Sequence, residues 1–72
     1  MKTEFMLLAV YDSPMIPLDK FAKDILGIEL RTAYNRISAG TFPVPVLKPA
    51  GKPMIDVRDA ANYIDSLKQD AA

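Results

Sequence analysis

The sequence of this 72-residue chain predicts a small α+β fold, and three observations carry that expectation. Two segments, 18–26 and 30–39, repeat apolar residues at the spacing of one helix face and are separated by Gly27. A proline-dense segment, 41–53, follows and reads as extended chain that folds back through a turn. A third amphipathic run begins at Asp56. With an apolar stretch in front, the order is arm, helix, turn, helix, hairpin, helix, which is the order of a small winged helix-turn-helix.

The first element is the run from Phe5 to Tyr11, seven consecutive apolar residues between Glu4 and Asp12. It is too short to span a bilayer and lacks the flanks of a signal peptide, so it is expected to be a buried apolar strand or an irregular arm lying on the core. Ser13 to Pro17 reads as a turn-rich connector, with Pro17 at the entry to the first helix. Leu18, Phe21, Ala22, Ile25 and Leu26 supply that helix's buried face, while Asp19, Lys20, Lys23 and Asp24 lie outside. Gly27 stops it.

Ile28 is expected to pack between the two helices, and Glu29 places a negative charge at the positive end of the second. In that helix Leu30, Ala33, Tyr34 and Ile37 form an apolar stripe, and Gly40 ends it. Residues 41–47 carry two prolines, which only an edge strand or an extended arm tolerates, with Phe42 as a plug against the helices. Residues 48–53 hold the turn, and Met54 to Val57 bring the chain back, so a short β-hairpin wing is expected over about residues 44–56. Asp56 is suited to cap the last helix, whose buried face is Val57, Ala60, Ala61, Ile64 and Leu67, with Tyr63 at its border. No repeat or linker divides the chain, so residues 1–72 are expected to form a single DNA-binding domain of this kind.

Composition narrows the chemistry. There is no cysteine and no histidine, hence no disulfide framework, no thiolate metal site and no imidazole for proton transfer. An enzyme is not expected, nor are catalytic residues, a cofactor or a metal. A cysteine-free chain suits the cytoplasm, and no membrane association is foreseen.

Net charge is zero, which counts against polyanion binding by the molecule as a whole, but the charges are unevenly placed. Between Leu30 and Ile55 the charged residues are Arg31, Arg36, Lys48 and Lys52, and all nine acidic residues lie outside that stretch. Arg31, Thr32, Asn35 and Arg36 occupy the helix face opposite the apolar stripe. Arginine and asparagine match the paired groups of guanine and adenine edges in the major groove, and threonine reaches a base or a phosphate.

The expected DNA-binding residues are therefore Arg31, Thr32, Asn35 and Arg36, on a recognition helix of about residues 29–39, with Lys48 and Lys52 on the wing against the backbone. Lys20 and Lys23 can reach phosphates if the first helix crosses the backbone. Four cations hold DNA weakly at physiological salt, so a homodimer or higher homo-oligomer, assembled before or on double-stranded DNA, is expected.

Tyr11-Asp12, Ile16-Pro17-Leu18, Gly27, Gly40, Phe42-Pro43, Pro43-Val44-Pro45, Val57 with Asp59, and Tyr63-Ile64 follow one another in an order that resembles excisionase-like, or MerR-like, winged helix-turn-helix proteins. Within that group the chain is similar to the pyocin-activator (PrtN-like) family from Phe5 to Leu67. The resemblance implies a phage-derived transcription regulator acting on bacteriocin or prophage genes, with RNA polymerase or a recombinase as a further candidate contact. Two alternatives stand beside it. One is an excisionase/Cox-type factor that directs recombination. The other is a small phage protein-interaction module, using the apolar arm and the proline-bearing edge for strand addition or self-association. A wing with Lys48 and Lys52 as its cations departs from strong wing-to-phosphate binding.

Overall fold

A computed structural model describes residues 2–71. In chain order the elements are α1 (Thr3–Tyr11), β1 (Met15–Pro17), α2, α3 (Leu30–Ala39), a short 3-10 turn (Pro49–Gly51), β2 (Met54–Asp56) and α4 (Val57–Ala71). α2 opens as an α-helical turn, Leu18–Lys20, and runs on as a wider π-helical stretch, Phe21–Leu26.

The N-terminal apolar run is a helix and not the expected strand or arm. Met6, Leu7, Leu8 and Ala9 are all strong helix formers, and Glu4 sits in the first turn, where it complements the helix dipole. The run ends at Asp12, whose φ of 52° is left-handed and whose N–H donates to the Leu8 carbonyl at 2.8 Å. Aspartate tolerates that conformation better than most residues. α1 packs along α4. Leu7 and Thr3 are buried there, and the Thr3 hydroxyl donates to Asp65 Oδ1 at 2.7 Å.

A second correction concerns the sheet. β1 pairs antiparallel with β2, in the register Met15 to Asp56, Ile16 to Ile55 and Pro17 to Met54. The pairing is extended at its ends by Leu18 N–H to the Pro53 carbonyl, 3.1 Å, and Val57 N–H to the Pro14 carbonyl, 3.0 Å. The segment expected to be a connector thus contains a strand, and the expected wing hairpin is reduced to one bridge, Leu47 with Met54, closed by hydrogen bonds of 2.9 and 2.7 Å. Pro43 and Pro45 have no N–H to give a ladder, and β2 already spends its main pairing on β1. Residues 41–47 form an irregular arm that bends at Pro43 and Val44, with Val44 buried and Val46 half-buried.

The remaining helices follow the sequence reading. Gly27, at φ 68°, ends α2, and the next amide, Ile28 N–H, returns to the Ala22 carbonyl at 2.9 Å. Gly40, at φ 75°, ends α3. An L side chain is strained at such angles whatever space surrounds it, so both turns favour glycine.

The core gathers Ile16 and Ile55, which face each other across the strand pair, with Leu18, Phe21, Ala22, Ala33, Val57 and Ala60, all fully or almost fully buried. The Phe21 ring lies between Phe42, centroids 6.0 Å apart, and Tyr63, 6.3 Å apart, so Phe42 plugs the core as expected. Leu67, expected on the buried face of α4, is exposed: the shared core ends one turn earlier, at half-buried Ile64. Tyr11 ties α1 to α2 by donating its hydroxyl to Asp24 Oδ2 at 2.9 Å. Burial first, and then the neighbouring carboxylate, push its pKa up to about 12.

Asp56 performs the expected cap. Its Oδ1 accepts the Arg58 backbone N–H at 2.8 Å, and the Arg58 guanidinium grips both carboxylate oxygens at 3.1 and 2.8 Å. The side-chain bond to Arg58, then the backbone bond, hold the Asp56 carboxyl below its ordinary value. A depressed folded pKa contributes stability that is complete above the ordinary aspartate range near 3.9 and is lost as pH falls through the folded value. Asp56→Ala is expected to cost about 1 kcal/mol in a neutral-pH melt, and Asp56→Asn to recover part of it. The gap between wild type and Asp56→Ala should close as pH falls through the depressed folded value, where the carboxylate is being neutralised. A gap that stays constant down to acid pH would mean that the charge contributes nothing.

Candidate nucleic-acid interface

α3 packs on α2 and presents four columns, because residues three and four apart on a helix stand above one another. Ala33 and Ile37 form the inner column, the first fully buried and the second half-buried. Arg31 and Asn35 form the column facing most directly outward, and both are exposed. Thr32, half-buried, and Arg36, exposed, stand on one flank.

Leu30 and Tyr34 stand on the other flank, and here the sequence reading needs correction. Both were expected in the buried stripe, yet they are 40 % and 45 % exposed. The physical reason is the small side chain at the centre of the contact. With Ala33 as its fully buried residue, α3 approaches α2 over a narrow strip, and larger neighbours on its edge are left outside. The signal was present in the sequence as an apolar column directly beside the arginine and asparagine column.

The loop 48–53 is closed at its base by the Leu47 to Met54 bridge. Within it, Gly51 N–H returns to the Lys48 carbonyl and Lys52 N–H to the Pro49 carbonyl, each at 3.2 Å. Lys48 and Lys52 are both exposed. Lys52 meets α3: with Leu30, Tyr34, Pro17, Asp19 and Met54 it lines a groove of about 470 Å³. A second groove, about 410 Å³, runs between Lys20 and Lys23 of α2 and the start of α3 at Glu29 and Leu30. Of the residues singled out from the sequence, Lys52 is thus brought to the edge of α3, and Lys20 and Lys23 to its entrance.

Among the described residues, Arg31, Arg36, Lys48 and Lys52 form no ion pair, and the salt bridge present joins Arg58 to Asp56. Those four cations are not neutralised by a bonded carboxylate. The region is not free of acid, however, as the linear order suggested. Folding brings Asp19 into the groove beside Lys52 and leaves Glu29 exposed at the head of α3. The surface therefore has hydrogen-bond donors and unpaired positive charge along α3, a modest net positive excess, and an apolar border. Such a surface is chemically suited to an anionic, acceptor-rich polymer.

Among the described residues, no three His, Cys, Asp or Glu side chains converge as a metal site, and no helix is long and apolar enough to cross a membrane. Neither the curated proteins nor the solved structures contain a match to the chain. The family model described as pyocin activator protein PrtN matches residues 3–71, which spans every element from α1 to α4. The chain belongs to the pyocin activator family, a family of regulatory proteins.

Proposed function

We propose that the chain is a sequence-specific regulator of phage- or bacteriocin-type genes that binds double-stranded DNA as a winged helix-turn-helix and acts in the cytoplasm. α2 and α3 serve as the helix-turn-helix, α3 enters the major groove, and the loop 48–53 is the wing. The observation that supports this reading is the outward column of Arg31 and Asn35, flanked by Thr32 and Arg36 and free of bonded carboxylates, with Lys52 at its edge. Arg31 and Asn35 suit guanine and adenine edges, whereas Arg36, Lys48 and Lys52 suit phosphates. Leu30 and Tyr34 border the same column and offer apolar surface of the kind that receives a thymine methyl group.

The test is selection from random-sequence and genomic DNA pools at near-physiological salt, followed by sequencing of the retained duplexes. An enriched motif is the expected result. Failure to retain duplex at low salt, where phosphate attraction is strongest, overturns the reading.

The wing gives a second expected result. Lys48→Ala with Lys52→Ala should lower the magnitude of the slope of log affinity against log salt by up to about 2, close to one unit per lost phosphate contact, and leave the motif unchanged. A changed motif at an unchanged slope would make the wing a base reader.

A further inference from the structure

We propose that Asp19 limits how tightly this chain holds DNA that lacks the matching bases, by setting a negative charge where one strand passes α3; the proposal rests on the DNA-binding reading. Asp19 and Leu30 are the two residues common to both grooves beside the start of α3. One groove brings Asp19 together with Lys52, and the other with Lys20, Lys23 and Glu29. Asp19 is exposed, and among the described residues it joins no ion pair with any of these lysines. A carboxylate among three cations and bonded to none acts on whatever else enters the grooves.

A helix about 10–12 Å across fills a major groove about 12 Å wide, so a phosphate strand runs along each of its flanks. The strand on the Leu30 and Tyr34 flank meets Lys52 and Asp19 together. Lys52 attracts it and Asp19 repels it, each with a single unit charge. This opposition acts on the phosphate contribution, which supplies essentially all of the binding to non-matching DNA. Contacts from Arg31 and Asn35 to base edges are added only where the sequence matches. Genomic DNA offers a vast excess of non-matching sites, so a residue that lowers the attraction to phosphate alone leaves more of the protein free to reach its own site.

The experiment is a salt titration of binding by the full chain to a random-sequence duplex and to the selected duplex. Asp19→Asn keeps the size of the side chain and removes its charge. Affinity for random-sequence duplex should rise about three- to tenfold at low salt. The slope of log affinity against log salt should steepen by up to about 1, since screening removes the gain as salt rises. The selected motif stays the same. Asp19→Ser, whose hydroxyl also suits a helix start, is a second uncharged variant that should behave alike.

Asp12→Asn is the control. It removes the same unit charge at the end of α1, outside both grooves, where asparagine also tolerates the left-handed backbone. It should leave affinity and slope close to the wild-type values. Asp19 also stands in the first turn of α2, where a carboxylate complements the helix dipole. A role confined to the dipole would move the unfolding curve and leave the salt slope alone.

Equal gains from Asp19→Asn and Asp12→Asn would make net charge the cause and overturn the proposal. A wild type that selects a motif, with Asp19→Asn holding random duplex no more tightly, overturns it as well and leaves the DNA-binding reading standing. A motif changed by Asp19→Asn would make Asp19 a base reader, which also overturns it. Failure of wild type and variants alike to hold duplex at low salt removes the DNA-binding reading, and this proposal with it.

Discussion

Phe21→Ala should bring the fold to the edge of its stability. Phe21 is fully buried and its ring packs on both Phe42 and Tyr63, so removing it opens a cavity where α2, the 41–47 arm and α4 meet. The expected cost is about 3–5 kcal/mol. A chain of this size has roughly 4–11 kcal/mol in total, so the variant should melt far below the wild type or be partly unfolded at room temperature. Phe21→Leu keeps most of the volume and should lose much less, and Phe42→Ala, at a half-buried position, should fall between them. Urea unfolding followed by circular dichroism gives all three values. Equal midpoints for wild type and Phe21→Ala would refute the central place of this ring.

Arg31→Ala and Asn35→Ala are expected to leave that unfolding curve unchanged, because both side chains are exposed, and to weaken binding to the selected duplex by about 1–3 kcal/mol each. A base-reading residue relaxes the preference at one position of the motif when it is removed. Arg36→Ala, on the flank of the helix, should instead weaken all sequences by a similar factor and lower the salt slope. Retention of full affinity and an unchanged motif by all of these variants would show that α3 is not the reader.

The helices from α2 onward were legible because each has both a period and a stop. Leu18, Phe21 and Ala22 set one face, Gly27 and Gly40 mark the two ends, and Asp56 announces α4. α1 was not legible as a helix, since a run that is apolar on every side has no period to distinguish helix from strand. Its exposed face is the counterpart of that ambiguity. β1 was hidden for a different reason. Its three residues end in Pro17 and follow Pro14, which locally signal a turn, and its partner lies beyond the whole of α2, α3 and the wing. At the interface, the polar columns of α3 could be read from spacing, whereas the exposure of Leu30 and Tyr34 depends on how narrowly α3 meets α2. The nearness of Asp19 to Lys52 is likewise a product of folding.

The pairing of β1 with β2 has a consequence for the order in which the protein comes into being. Everything from Leu18 to Pro53, including α2, α3 and the 48–53 turn, is a loop whose two ends are fastened together by the pairing of β1 with β2. Closing so long a loop has an entropic cost, and the contacts that offset it, Ile55, Val57 and Ala60, are among the late residues of the chain. A nascent chain that has just released α3 from the ribosome therefore has α3 and α2 but lacks the strand and helix that close the core around them. The fold is completed when β2 and the first turns of α4 emerge, so a polypeptide interrupted before Met54 has α3 and the α2 surface it packs on but not the strand pairing that fastens them to the rest of the core.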